Sequence, residues 1–341
     1  MDQITIFFIV ILSILCINYL FNVWTSRLAV QEWEDGGLDG GLGGGLGGGL
    51  DGGLDGGLEG FESMAKATEQ KWIESPDLFD DFYAQVYDQL AQGSARLQAE
   101  TGLALHAFQR GGTELKDMRI LDAGCGTAIV TSALAKMNVG KIIAVDQSSA
   151  MIKRAISTTL DQSTLTEGQK EAIDFRITDL LNPSALSPGE VTNAICFYFV
   201  IYYIRDHEAF FRNMYVWTAP GGMMAIEVVN KYKFDPMLDS SAPWMGFSLQ
   251  KYSKERVTKS KVTFDKFEYE GKFDLMDPVA EFRETFRFKD GTVRRQKHMF
   301  VMPAIEEIVK AAKNVGWIYD SHVDLTAIGF EYAYLLLFKH P

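Results

Sequence analysis

The chain has 341 residues, of which 47% are apolar and 23% are charged, and its formal net charge is -12. These proportions are ordinary for a globular protein, and the length suits one large domain or two smaller ones. The acidic balance argues against a nucleic-acid partner, because proteins that bind DNA or RNA usually present a basic face. The 3 cysteines and 5 histidines are scattered and indicate neither a disulfide framework nor a metal site.

The chain begins with an uncharged apolar run from Ile4 to Trp24. At helical rise this run spans roughly 30 Å, which matches the hydrocarbon core of a bilayer. We predict a single-pass membrane anchor over residues 1–27, with a cleaved secretory signal as the alternative. A signal would have a basic start and a small-residue cleavage site, and neither is evident. Asp2 before the run and Arg27 after it favour a catalytic domain that faces the cytosol.

A glycine-rich linker is predicted over residues 28–60. Within it, residues 36–60 repeat a Gly-Gly-Leu-Asp/Gly pattern and include 15 glycines in 25 residues. Chains so rich in glycine lose too much entropy on ordering to fold alone. A flexible tether is therefore the expected role, and self-association through the regularly spaced leucines is the alternative.

The remaining residues, 61–341, are predicted to form one α/β domain. Aromatic residues recur at spacings of three and four within 62–110, which predicts N-terminal helices. Apolar runs then alternate with helical segments over 116–230 and 303–341, as in a doubly wound sheet.

Two glycines and two carboxylates mark the predicted functional site. Gly124 and Gly126 follow the first core strand, where bare backbone lets a ligand approach closely. Asp122 lies two residues before Gly124; a carboxylate here would repel a pyrophosphate but suits a ligand that carries positive groups. Asp146 ends the next apolar run, 20 residues after Gly126, where it can accept hydrogen bonds from ribose hydroxyls.

The pattern Leu-Asp-x-Gly-x-Gly-Thr followed by Val-Asp resembles the cofactor motifs of class I S-adenosylmethionine (SAM)-dependent methyltransferases of the small-molecule, type 11/25-like kind. The resemblance implies a seven-stranded Rossmann-like sheet with a reversed last strand, and SAM as the cofactor. Ala128 departs from the motif, where a third glycine is common. The cofactor-binding residues that the resemblance implies are Asp122, Gly124, Cys125, Gly126, Asp146, Gln147, Met151, Asp179, Leu180, Phe197 and Tyr83.

Three residues are the catalytic candidates. Tyr87 lies on the helix that caps the cofactor in such enzymes, although it could equally be a core residue. Tyr202 lies near the position where many relatives have a histidine, and His207 follows in a polar stretch that also fits a solvated helix start. No base is assigned, because other side chains qualify as well: Tyr83, Tyr198, Glu227 and His298.

Residues 231–302 exceed a minimal core. Asp290-Gly291 between two strand-like runs predicts a hairpin, and we expect a three-stranded antiparallel layer here. Such a layer resembles the substrate cover of glycine-type and sugar-amine N-methyltransferases, and a homodimer surface is the alternative. A single solvated face is expected for its basic residues Arg283, Arg287, Arg294, Arg295 and Lys297.

The sequence thus predicts a membrane-tethered methyltransferase that acts by in-line displacement on a small-molecule or lipid-like acceptor. A protein methyltransferase and a SAM-binding regulatory protein without turnover stay open as alternatives. Asp122 argues against an oxidoreductase of the same layered architecture. The Asn-Pro-Pro-Tyr/Phe signature of DNA amino-methyltransferases is absent, which argues against nucleobase methylation.

Overall fold

The computed structural model describes residues 72–91, 94–236 and 256–341. The predicted anchor and linker, and the start of the predicted N-terminal helices, lie outside these residues. Within the described ranges, no helix has both the length and the apolar character that a membrane span requires.

The described residues form twelve strands and eight α-helices. The strands are β1 (Trp72–Glu74), β2 (Arg119–Ala123), β3 (Lys141–Asp146), β4 (Ile173–Ile177), β5 (Val191–Cys196), β6 (Thr218–Val229), β7 (Lys259–Thr263), β8 (Phe267–Met276), β9 (Val279–Phe288), β10 (Val293–Val301), β11 (Ile318–Asp324) and β12 (Ala333–Lys339). The helices are α1 (Asp81–Ala91), α2 (Ser94–Gln109), α3 (Ile129–Lys136), α4 (Ser149–Ile156), α5 (Glu167–Glu171), α6 (Val200–Tyr203), α7 (His207–Trp217) and α8 (Ile305–Val315).

Seven strands form the main sheet, in the order β11-β12-β6-β5-β2-β3-β4. Strands β2 to β6 run parallel, and β12 pairs antiparallel with both β6 and β11. The central strands are continuous apolar runs because helices cover both faces of a parallel sheet. The predicted seven-stranded sheet with a reversed last strand is confirmed. The strand order reverses between β2 and β5, which is where open α/β sheets bind their ligands.

Residues 219–222, an Ala-Pro-Gly-Gly segment, form a bulge inside β6. Thr218 pairs with Val191, whereas the next paired residue of β6 is Met223, opposite Asn193. A side chain at Gly222 would meet the Thr192 carbonyl oxygen at 2.1 Å, so the close strand approach requires glycine there. The Pro-Gly-Gly segment therefore interrupts the pairing without ending the strand.

The inserted layer is a second sheet of five strands, in the order β1-β10-β9-β8-β7. Strands β8, β9 and β10 form the predicted antiparallel trio, and the expected hairpin turns at Gly291, whose φ is +88°. Strand β1 adds to its edge, parallel to β10, in a region where the sequence favours helix. Pro76 accounts for this difference, because the residue before a proline is disfavoured in the α conformation.

The prediction that Arg294 faces solvent with the other basic residues is wrong. Arg294 is fully buried, while its neighbour Arg295 on β10 is partly exposed. Successive side chains of a strand point to opposite faces, so the two arginines cannot share one face. On the partly exposed face, Arg283 pairs with Glu281, and Lys297 pairs with Glu74.

Candidate functional site

The turn between β2 and α3 presents bare backbone at the end of the main sheet. Gly124 has a φ of +77°, and a Cβ there would lie 2.6 Å from Cγ2 of Val200. Ala128 also adopts a left-handed conformation, with a φ of 72°. The backbone of this turn therefore requires glycine at position 124. Ala128 adopts a left-handed conformation that is easier for glycine, the residue common at this position of the motif.

The two predicted carboxylates occupy different environments. Asp146, at the end of β3, accepts hydrogen bonds from the amides of Gly126 at 3.0 Å and Ser148 at 2.8 Å, and it borders a large cavity. Asp122 is buried and accepts a hydrogen bond from the Thr131 hydroxyl at 2.6 Å. Burial raises the pKa of Asp122 to about 6, and the nearby Asp146 adds to the shift. Asp122 thus lies beneath the turn, and Asp146 faces the open space.

That space is a cavity of about 590 Å³, bounded by the ends of the main-sheet strands, by α1, and by the inner face of the inserted sheet. Its volume falls within the roughly 300–1,000 Å³ that ligand sites occupy. Asp146 and Asp179 border one part of it. Ten aromatic residues contribute to the remaining lining: Phe79, Tyr83, Tyr87, Tyr198, Phe199, Tyr203, Phe234, Phe273, Phe282 and Phe330.

Most of the predicted cofactor-binding residues line this one cavity. The lining residues among them are Tyr83, Gly124, Gly126, Asp146, Gln147, Met151, Asp179 and Leu180. Asp122, Cys125 and Phe197 are buried and do not border it. Their contribution is to the packing beneath the turn, and the binding roles of the whole set stay predictions.

The three catalytic candidates are not brought together. Tyr87 lines the cavity. The hydroxyl of Tyr202 accepts a hydrogen bond from the Val229 amide at 2.8 Å, away from the cavity. The His207 ring lies 3.0 Å from the Ile201 carbonyl oxygen, also outside the lining. Of the three candidates, the structure thus places only Tyr87 at the cavity, and it gives Tyr202 and His207 local backbone contacts.

Sequence reasoning missed two polar residues of the cavity wall, Tyr203 and Glu284. They meet His298, which was only one of several possible bases: Nδ1 of His298 lies 2.5 Å from the Tyr203 hydroxyl, and Nε2 lies 2.6 Å from Glu284. One sequence feature could have indicated this cluster: the alternation along β10, which puts Arg294, Gln296 and His298 on one face. Both faces of β10 carry polar residues, so the alternation alone does not tell which of the two faces is buried.

The loop after β5 holds two consecutive residues in the left-handed region, Tyr198 with a φ of 51° and Phe199 with a φ of 65°. Such conformations are costly for aromatic residues and cluster at binding sites. The Glu227 carboxylate supports the loop by accepting a hydrogen bond from the Tyr198 amide at 2.9 Å. Both strained residues line the cavity, so the loop holds two aromatic rings against any occupant.

The sequence matches known proteins over part of its length. Residues 98–256 match the family model described as a methyltransferase domain. The mitochondrial ubiquinone biosynthesis O-methyltransferase of Dictyostelium discoideum is 24% identical over 118 residues, which are 34% of this chain and 37% of that protein. The chain spans less than half the length of the curated relatives that it matches.

Solved structures match over most of the chain. A SAM-dependent methyltransferase from Clostridium acetobutylicum superposes with a TM-score of 0.56 at 17% identity, covering 75% of this chain and 97% of that one. SAM-bound CalS10, an amino pentose methyltransferase from Micromonospora echinaspora, gives a TM-score of 0.51 at 17% identity with the same coverage. At these identities the likeness concerns the fold. The family-model match shows that residues 98–256 carry a methyltransferase domain, and the glycine and carboxylate motifs lie within that range.

Proposed function

We propose that this protein transfers a methyl group from SAM to a small-molecule acceptor held under the inserted sheet. One observation carries the proposal: a single cavity joins the carboxylates at the ends of β3 and β4 to an aromatic compartment. The same space can therefore hold a nucleoside cofactor and a second, largely apolar molecule side by side.

The residues of the cavity fit SAM by their chemistry. Asp146 is placed to accept hydrogen bonds from ribose hydroxyls, and Asp179 can accept one from the adenine amine. Met151 and Leu180 supply apolar surface for the adenine ring. Arg96 also lines the cavity, and its guanidinium suits the carboxylate of the amino-acid part. When bound, the cofactor supplies a methyl group on a positively charged sulfur.

The chain's own residues would orient the acceptor and exclude water. The rings of Tyr83, Tyr87 and Tyr198 form a row with centroid separations of 5.7 and 6.1 Å. Aromatic faces attract cationic groups, so this row favours the charge next to the transferred methyl. A hydrogen bond holds α1 in place beside the cavity: the Thr127 hydroxyl donates to Asp88 of α1 at 2.5 Å. Alignment and exclusion of water are the main demands of such a displacement.

Calorimetric titration of SAM and its demethylated product, S-adenosylhomocysteine, into the full chain tests the cofactor site. We expect micromolar binding that Asp146→Ala abolishes and that Asp117→Ala, at a surface carboxylate, leaves intact. Production of S-adenosylhomocysteine from an acceptor mixture then separates an enzyme from a SAM-binding protein without turnover. A folded protein that binds neither ligand would overturn the proposal.

The finer proposal, a membrane-tethered enzyme with a lipid-like acceptor, rests on the apolar run of residues 4–24. Tethering at the bilayer would raise the local concentration of such an acceptor. Flotation of the full chain with phosphatidylcholine vesicles tests this, against a variant carrying Ile9→Asp and Ile11→Asp. Equal flotation of the two proteins would contradict the proposal that residues 4–24 anchor the protein in a membrane.

A further inference from the structure

Three side chains from three elements form a continuous hydrogen-bonded series in the cavity wall. Tyr203 of α6, His298 of β10 and Glu284 of β9 all border the cavity. The hydroxyl of Tyr203 lies 2.5 Å from Nδ1 of His298, and Nε2 of His298 lies 2.6 Å from Oε2 of Glu284. Both ring nitrogens are thus engaged, one by a phenol and the other by a carboxyl group.

The surroundings of Glu284 determine the direction of these hydrogen bonds. Its carboxyl group accepts from the Tyr269 hydroxyl at 2.8 Å and from the Gln296 amide at 2.7 Å. Burial alone would raise the pKa of Glu284, but the charge of His298 and these hydrogen bonds outweigh burial and hold that pKa below its usual range. An ionised Glu284 only accepts, so Nε2 of His298 carries a proton in either state of the ring. When the ring is neutral, Nδ1 is therefore the nitrogen that accepts from Tyr203.

The side chains around His298 carry several formal charges. Arg294 forms an ion pair with Asp80 and donates to Gln296 at 2.8 Å, which orients the Gln296 amide towards Glu284. With His298 neutral, these groups sum to one negative charge, and a proton on His298 balances it. Within hydrogen-bond reach, the described residues that titrate beside His298 are Glu284, Tyr203 and, at 3.3 Å, Tyr83 of α1.

Tyr203 borders the same cavity as the glycine turn between β2 and α3. It is three residues after Val200, whose side chain occupies the space that a Cβ at Gly124 would need. Residues three apart share a helix face, and Tyr203 borders the same cavity as Gly124 and Gly126. Burial and the neighbouring Glu284 raise the pKa of Tyr203 well above its usual range, so its hydroxyl stays protonated at rest.

We infer that Tyr203, His298 and Glu284 form a proton relay that deprotonates a ring hydroxyl of the acceptor; this inference rests on the proposed methyl transfer. The acceptor O–H gives its proton to the Tyr203 oxygen as Tyr203 passes its own proton to Nδ1 of His298. The freed oxygen bonds to the methyl carbon as the carbon–sulfur bond breaks and its electron pair goes to sulfur. The imidazolium paired with Glu284 holds the proton until the product leaves, and then returns it through Tyr203 to solvent.

The inference selects a hydroxyl on an aromatic ring as the acceptor group. A neutral hydroxyl is a weak nucleophile that needs a base unless it is already acidic. The rings of Phe79, Phe282 and Phe300 have centroids 5.7–6.1 Å from the His298 ring, so the acceptor meets aromatic surface around the relay. A flat ring fits such a lining and presents its hydroxyl in a fixed position.

Two phenols of similar size and different acidity test the relay. The weakly acidic 4-ethylphenol needs a base, whereas 4-nitrophenol is acidic enough to ionise without one near neutral pH. For Tyr203→Phe, we expect methylation of 4-ethylphenol to fall by about 10²–10⁴-fold, the range of general-base effects, and methylation of 4-nitrophenol to fall far less. The matched control is Tyr319→Phe, which removes another hydroxyl 2.9 Å from a histidine Nδ1, that of His322 on β11, outside the cavity lining.

Two further readouts exclude a merely structural role. Glu284→Gln weakens the stabilisation of the imidazolium, so the acid limb of the rate profile for 4-ethylphenol should move to lower pH. Bound 4-nitrophenol should show more phenolate absorbance at pH 6 with the wild type than with Tyr203→Phe. Equal losses on both phenols, or no loss, would overturn the relay and leave methyl transfer standing. A wild type that binds S-adenosylhomocysteine but methylates neither phenol would also overturn it, whereas absent binding would overturn the proposed function first.

Discussion

Asp122 shows how a motif residue can serve the site at a cost in stability. Its carboxyl is buried under the cofactor turn, with a pKa of about 6. A carboxyl whose pKa is higher in the folded state stabilises the fold below its unfolded pKa, and that contribution is lost as the pH rises through the folded value. At pH 7 the ionised Asp122 therefore opposes folding, by on the order of 2–3 kcal/mol.

We expect Asp122→Asn to raise the free energy of unfolding at pH 7, because the amide removes the buried charge and its oxygen still accepts from Thr131. Urea unfolding between pH 4 and pH 8 measures the effect. The gain should shrink as the pH falls from about 6 towards 4, where wild-type Asp122 becomes protonated. A gain that does not change with pH would contradict the assignment of the charge as its source.

Gly124 allows a sharper test of the turn. In Gly124→Ala, the new methyl group would meet the Val200 side chain at 2.6 Å and displace α6, which carries Tyr203. Gly112 is a matched control, since its φ is +84° but nothing lies within 4 Å of its Cβ position. Gly112→Ala should cost only about 1 kcal/mol, from the left-handed conformation. Gly124→Ala should cost more and also weaken SAM binding in calorimetry; equal effects of the two variants would remove the steric argument.

At the scale of elements, the sequence predicts the main sheet better than the inserted sheet. The strands that end at Asp122 and Asp146 are apolar runs with a clear stop, so pattern alone locates them. Strand β10 instead alternates between two polar sets, and only the packing of α1 against it decides that Arg294, Gln296 and His298 face inward. The same limit applies to the catalytic candidates. Tyr202 and Tyr203 are adjacent in a four-residue helix, and the sequence does not tell which of the two side chains faces the cavity.

The pairing of Arg294 with Asp80 joins the inserted sheet to α1. Two hydrogen bonds of 2.8 and 3.1 Å link the side chains, and the guanidinium lies 4.3 Å from the centre of the Phe82 ring. Asp80→Asn would leave the buried guanidinium without its counter-charge. Breaking a buried pair costs about 3–5 kcal/mol, and we expect about 2–3 here because the Asp80 side chain is 35% exposed.

Urea unfolding of Asp80→Asn, compared with Asp81→Asn at the adjacent exposed carboxylate, measures this contribution. The same change should weaken SAM binding, since α1 covers the cofactor side of the cavity with Tyr83 and Tyr87. A destabilised variant with unchanged affinity would show that α1 does not act as a cover.

At the scale of the whole molecule, the cavity wall is shared by two sheets that contribute different chemistry. The main sheet supplies the glycine turn and the strand-end carboxylates, whereas the inserted sheet supplies Phe273, Glu284 and His298. The contribution of the main sheet can be predicted from the sequence, because its motifs lie near one another in the chain. The contribution of the inserted sheet depends on residues far apart in the chain: Tyr83 contacts Glu284 and His298, which are 201 and 215 positions away. Local sequence patterns carry no such information.

Because both sheets line one cavity, a ligand that fills it should stabilise them together. S-adenosylhomocysteine at 100 times its Kd adds about 2.7 kcal/mol to the free energy of unfolding. For a domain of this size the midpoint of thermal unfolding should rise by about 5–10 °C. Hydrogen exchange should then show slower exchange at the ends of β3 and β4 and in α1. With a phenol also present, protection should extend to β9 and β10, around Glu284 and His298. Asp146→Ala should lose all of these changes, and protection that never reaches the inserted sheet would show that the acceptor binds elsewhere.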